Sequence, residues 1–205
     1  LAALNRKLVM LRVSAYGQSG PLQHRPGFAR IAHAFGGLAY LSGEPGRPPV
    51  VPGSTSLADY MSGLFGAVGV LMALRHADRT GEGQVVDIGL YESVFRVLDE
   101  LAPAYARYGH QRERMGPDTV HVAPHSHYQT RDGAWVALAC SNDRMWERLT
   151  QAMRRPELAG DPRYAQLQAR NEHRAQINRL VGEWVGSLDL DDVLAACERH
   201  DTPCS

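Results

Sequence analysis

The stretch from Ser56 to His76 constrains this chain most. Between Leu57 and Leu74 it holds no basic residue, one acid, Asp59, and three glycines, Gly63, Gly66 and Gly69. At about 18 residues it matches the length of a membrane-span candidate. The acid and the glycines argue instead for a helix buried in a protein core. Its small residues, with Ala67 and Ala73, would let other backbone elements approach closely.

Asp59 stands at the start of this helix, three residues after Ser56, in the spacing of a capping box. A structural reading follows: the carboxylate satisfies a helix end and complements the dipole. A chemical reading uses the same physics. A carboxylate at a helix N-terminus stays ionised. Packed beside apolar surface it would be poorly hydrated, and so a usable nucleophile toward an activated acyl group. The residues by themselves leave both readings open.

The elements around it alternate. Lys7 to Val13 reads as a strand, Phe28 to Leu41 as a helix closed near Gly36-Gly37, and Gln84 to Gly89 as a β-branched strand. Asp78 to Gly83 is a turn, and Ser42 to Gly53, with four prolines and three glycines, is a loop. Leu90 to Tyr108 reads as one long helix interrupted at Pro103. Charges, Gly and Pro cluster beyond Gly109, which places a linker at 110–120 between an α/β part (1–109) and a smaller α+β part (121–205). In the latter, Ala134 to Ala139 is a strand. Asn142 to Met153 (Trp146 and Leu149 on one face), Asn171 to Val185 and Leu188 to His200 are helices, the last capped by Asp189.

Lys+Arg and Asp+Glu are both 22, a net charge of zero that argues against nucleic-acid binding. Lys7 is the only lysine. Cys140, Cys197 and Cys204 lack metal-type spacing, which points to a reducing, cytoplasmic setting. The chain starts at Leu1 almost directly in a strand-like run and stops at Ser205, so both ends are expected to continue into a longer protein. His121, His125 and His127 form a cluster. Alternate spacing sets His125 and His127 on one strand face, but without further ligands nearby they read as polar loop and strand residues, and no metal is expected.

Several segments, taken in order, resemble one family. Ser14-Ala15-Tyr16-Gly17-Gln18-Ser19-Gly20-Pro21 is similar to the Ser-Gly-Phe-Gly-Gln-x-Gly-Pro loop of the class III CoA-transferases, the CaiB/BaiF-like family of formyl-CoA and carnitine CoA-transferases. Arg25-Pro26-Gly27-Phe28 with Gly36-Gly37-Leu38, Gly43-Glu44-Pro45, and Pro48-Pro49-Val50 follow suit. Ala58-Asp59 with Gly63 matches the segment carrying that family's nucleophilic aspartate. Arg79-Thr80-Gly81-Glu82-Gly83-Gln84-Val85-Val86-Asp87 resembles its Arg-Thr-Gly-x-Gly-Gln strand. Asn142-Asp143-x-x-Trp146 and Asp161-Pro162-Arg163-Tyr164 resemble small-domain landmarks.

The resemblance implies part of a Rossmann-like large domain plus a smaller α+β domain, in the fold that forms interlocked homodimers. It implies CoA transfer from an acyl-CoA thioester to a carboxylic acid. Asp59 would form first a mixed anhydride and then an aspartyl-CoA thioester, with water kept out. CoA is then a substrate, and a glycine-containing loop would close over the intermediate; Gly116 is the one weak candidate for it. Tyr16 and Phe28 would wall the acyl pocket, Gln18 would donate to a developing oxyanion, and Arg25 and Arg47 would meet CoA phosphates.

Two departures bear on the reaction. The position after Phe28, commonly acidic in relatives, is Ala29. Racemases of 2-methylacyl-CoA carry Gly-His-Asp where this chain has Gly27-Phe28-Ala29, so their acid/base histidine is absent. The alternatives are such a racemase or epimerase, and a non-catalytic CoA-binding relative.

Overall fold

The computed structural model describes residues 1–205, which form two compact units, Leu1–Arg114 and Met115–Ser205. The division falls inside the segment 110–120.

In the first unit, β1 (Met10–Ser14) and β2 (Val85–Gly89) pair in parallel, from Met10 opposite Val85 to Ser14 opposite Gly89. Parallel pairing requires a crossover, supplied here by α1 (Ala29–Phe35), α2 (Leu38–Leu41) and the 24-residue α3 (Leu57–Thr80). Two features of the Arg-Thr-Gly-x-Gly-Gln segment have physical causes. Gly81 ends α3 at φ 78°, in the left-handed region, and its N–H bonds the Ala77 carbonyl. Gly83 lies against the start of β1, where an added Cβ would sit 1.9 Å from the Leu8 carbonyl oxygen. Gly83→Ala is therefore expected to cost about 3 kcal/mol or more through forced backbone displacement, read as a lowered urea midpoint.

The helix α3 is less buried than its composition implies. Its buried residues are Ala58, Ser62, Gly66, Ala73 and Ala77, a small-residue stripe. At Gly66 an added Cβ would meet Leu11 at 2.8 Å, so that part of the stripe sits tightly on β1, whereas a Cβ added at Gly63 would point into open space. The opposite face has no cover within the chain: Tyr60, Leu64, Val68, Leu71 and Met72 are each more than half exposed. The expected buried core helix is thus corrected to a helix buried along one narrow stripe. By length and composition (mean hydropathy 1.6 over its most apolar window, 22% of which is buried), it is also long and apolar enough to cross a membrane.

The expected single helix from Leu90 to Tyr108 is two, α4 (Leu90–Arg96) and α5 (Leu101–Tyr108). The break precedes Pro103, at Asp99 with φ 58°. Pro103 occupies the first turn of α5, where its missing N–H costs nothing.

The second unit packs β3 (His125–Gln129), antiparallel to β4 (Trp135–Ala139), against α6 (Asp143–Ala152), α7 (Leu167–Glu172), α8 (Arg174–Val185) and α9 (Leu190–Arg199). Trp146, Leu149, Ile177, Val181, Val185, Val136 and Val193 are fully buried in one cluster. The expected helix from Asn171 to Val185 is divided at His173, between α7 and α8. Asn142 caps α6 by accepting from Met145 N at 2.9 Å; Asn142→Ala is expected to cost about 1 kcal/mol, measured by denaturant unfolding. Asp189 precedes α9 but makes no side-chain cap bond. Its carboxylate is held instead by Arg131, at 2.8 and 2.6 Å.

Candidate active site

In the first unit, the loops that leave the carboxyl ends of β1 and β2 lie side by side. An added Cβ on Gly89 would sit 3.2 Å from Gly17 N. Asp87 on β2 accepts the backbone N–H of Gln18 at 2.7 Å. The last acid of the Arg-Thr-Gly-x-Gly-Gln segment is thus an anchor for the Tyr16–Gln18 loop. The loop's aromatic joins a cluster: Tyr16 lies 5.2 Å from Phe35 and 6.1 Å from Tyr91, and Phe35 lies 5.0 Å from Tyr91, centroid to centroid.

Asp59 is the third residue of α3, in its first turn, where the dipole favours an anion. The capping-box expectation is corrected: the Ser56 side chain makes no cap bond, and Asp59 N bonds the Ser56 carbonyl at 3.0 Å. The expectation of a poorly hydrated carboxylate is also corrected for the chain by itself. Asp59 is exposed, because the apolar residues that follow it on α3 turn to solvent rather than fold over it.

What holds the first turn of α3 is a residue that sequence reading passed over. His33 on α1 is 1% exposed, and its Nε2 accepts the Ala58 N–H at 3.1 Å. Its signal was visible as a histidine in a mostly apolar run, Ala29-Arg30-Ile31-Ala32-His33-Ala34-Phe35. The helix α1 therefore touches both halves of the site: Phe35 meets Tyr16, and His33 meets the residue before Asp59. One turn further along α3, Ser62 Oγ and Ser93 Oγ bond at 3.0 Å and fasten the helix to α4.

The remaining expected residues are scattered over the surface. Phe28 immediately precedes α1 and is 82% exposed. Gln18 is exposed, with its backbone rather than its side chain bonded to Asp87. Arg25 and Arg47 are exposed, and Arg47 gives its carbonyl to Arg114. Ala29 is buried with Ala32, Ala58, Leu90 and Val94, an apolar setting with no acid to contribute. In the second unit, His125 and His127 share a face of β3 beside a cavity of about 500 Å³ that Cys204 also lines. No group of three or more His, Cys, Asp or Glu is placed to hold a metal ion.

Loops at the carboxyl ends of parallel strands, with a carboxylate on a helix N-terminus nearby, are the layout of an α/β enzyme. The family model for CoA-transferase family III matches residues 1–205, and the chain belongs to that family. It is 52% identical over 203 residues to the alpha subunit of succinyl-CoA–L-malate CoA-transferase from Chloroflexus aurantiacus, covering 99% of this chain and 47% of that one. It is also 52% identical to the beta subunit, covering 100% and 51%. Acetyl-CoA:oxalate CoA-transferase of Acetobacter aceti is 32% identical over 81% of this chain and 42% of its own. A solved CaiB/BaiF family protein from Brucella suis superposes with a TM-score of 0.79 at 31% identity, covering 100% of this chain and 53% of that one. The chain thus spans about half the length of the curated relatives it matches.

Proposed function

We propose that the protein moves CoA from an acyl-CoA thioester to a carboxylic acid, with Asp59 as nucleophile. The observation that carries this is the exposed Asp59 carboxylate in the first turn of α3, on a backbone pinned from behind by His33. In the proposed sequence, the Asp59 carboxylate attacks the thioester carbonyl and expels CoA thiolate, leaving a mixed anhydride. The thiolate attacks the aspartyl carbonyl, releases the first acid and forms an aspartyl-CoA thioester. The incoming carboxylate attacks that thioester to give a second anhydride, and CoA thiolate then takes the acyl group and frees Asp59. The thioester's energy is kept only if water is excluded. In this reading Tyr16 and Phe28 bound the acyl group, Gln18 donates toward the developing oxyanion, and Arg25 and Arg47 face CoA phosphates.

The names of the 52%-identical relatives support succinyl-CoA as donor and a hydroxylated dicarboxylic acid of the malate type as acceptor. The uncovered apolar face of α3 supports a homodimer in which a second copy covers the helix and shields Asp59. Three free cysteines support a reducing, cytoplasmic setting. The racemase alternative lacks its proton-transfer group, since Phe28 and Ala29 offer none.

The test is an acceptor screen on the full-length enzyme. Succinyl-CoA is supplied with dicarboxylic acids, product thioesters are followed by chromatography, and deuterium exchange at the acyl α-carbon is followed in parallel. The proposal expects CoA transfer without exchange. Exchange without transfer would favour the racemase, and binding without either would favour a non-catalytic relative.

A further inference from the structure

We propose that His33 is the positioning residue for Asp59, acting as a neutral hydrogen-bond acceptor that fixes the first turn of α3. The inference rests on the reading of Asp59 as nucleophile.

A backbone N–H can only donate, so the His33 nitrogen facing Ala58 must carry a lone pair. That leaves the proton of the neutral ring on Nδ1, which is buried without a hydrogen-bond partner. A buried N–H without an acceptor is uncommon and unfavourable. An apolar residue of similar size would remove that cost but would leave the buried Ala58 N–H without its acceptor. What the ring does supply is an acceptor for the amide next to Asp59. The first four N–H groups of a helix have no partner inside the helix, and one of them is tied here to a different helix. The same helix carries Phe35 against Tyr16, so α1 sets the nucleophile and the β1 loop from one rigid piece.

The acceptor role fails if the ring gains a proton, because two donors would then face each other. The charges acting on the ring are Asp59 on α3, which favours protonation, and Arg30 on α1, which opposes it. The helix α4 brings Leu90, Val94 and the partly buried Tyr91 to the same core. Burial outweighs the rest and holds the ring below its ordinary 6.5. With the folded value depressed, the unfolded chain binds the extra proton first. The contact is therefore complete above about pH 6.5 and is lost as the pH falls through the lower folded value.

The experiment compares full-length wild type, His33→Leu and His33→Gln, with succinyl-CoA as the probe. It follows Asp59 modification by hydroxylamine trapping and mass spectrometry, together with kcat, KM and their pH profiles. His33→Leu is expected to slow modification and kcat by about 10- to 100-fold, the scale of a small misplacement of a reacting group, with KM nearly unchanged. His33→Gln, whose carbonyl can accept the same N–H but cannot be protonated near neutrality, is expected to restore most of the rate and to lose the acid limb assigned to His33. A wild-type rate in His33→Leu, equal loss in both variants, or an unchanged acid limb in His33→Gln would overturn the inference. If His33→Leu does not fold, His33→Gln and its profile decide by the same criteria. Absence of label at Asp59 in the wild type would instead remove the nucleophile reading, and the inference with it.

Discussion

Asp59→Ala in the full-length enzyme is expected to lower kcat for CoA transfer by at least about 10⁴-fold, as removal of a covalent nucleophile does. Stability is expected to change by no more than about 1 kcal/mol, the scale of a carboxylate's interaction with a helix dipole. The contrast separates two roles that Asp59 supports at once. It is exposed, and its side chain is not required to close the Ser56 cap, so the fold depends on it little. A purely structural Asp59 would show the reverse pattern, with measurable destabilisation and modest loss of turnover. Steady-state kinetics and thermal unfolding of the same preparation distinguish them.

The largest stability effect is expected at Arg170. Its side chain is 0% exposed, yet it carries a full charge in the core of the second unit. The guanidinium donates to the carbonyls of Ala123 at 3.0 Å, Tyr164 at 2.8 Å and Ala165 at 3.2 Å, and to the Asp143 carboxylate at 2.8 Å. It also lies 5.6 Å from the Trp146 ring centroid. One residue thus joins the entry to β3, the start of α6 and the approach to α7. Arg170→Met keeps the packing stem but strands these acceptors, and is expected to cost about 3–5 kcal/mol. A urea midpoint for the second unit within experimental error of wild type would contradict this.

Most elements were legible because periodicity and breakers suffice for them. Trp146 with Leu149, and Ile177 with Val181, recur at helical spacing and are fully buried. The β-branched run at Val85–Ile88 lies in β2, and Gly81 stops α3 as a left-handed cap. What was not legible depended on partners distant in sequence. Asp189 has the right place for a cap, but Arg131, 58 positions away, takes its carboxylate. His33 looks like an ordinary polar residue in a mostly apolar helix until Ala58, 25 positions on, is brought to it. Asp87 could be matched to a motif, but its bond to Gln18 required β1 and β2 to be paired. The burial of α3 was misjudged because composition measures how apolar a helix is, and nothing about what is present to cover it. Tyr16 and Gln18 do share one loop, whereas Phe28, Arg25 and Arg47 remain surface residues within this chain.

The most direct measurement is the mass of the Asp59-containing peptide after the full-length enzyme is incubated with succinyl-CoA and trapped with hydroxylamine. The account predicts a hydroxamate at Asp59 that forms only when the acyl-CoA is present and is absent from Asp59→Ala. CoA transfer proceeding at full rate with Asp59 unmodified would contradict it.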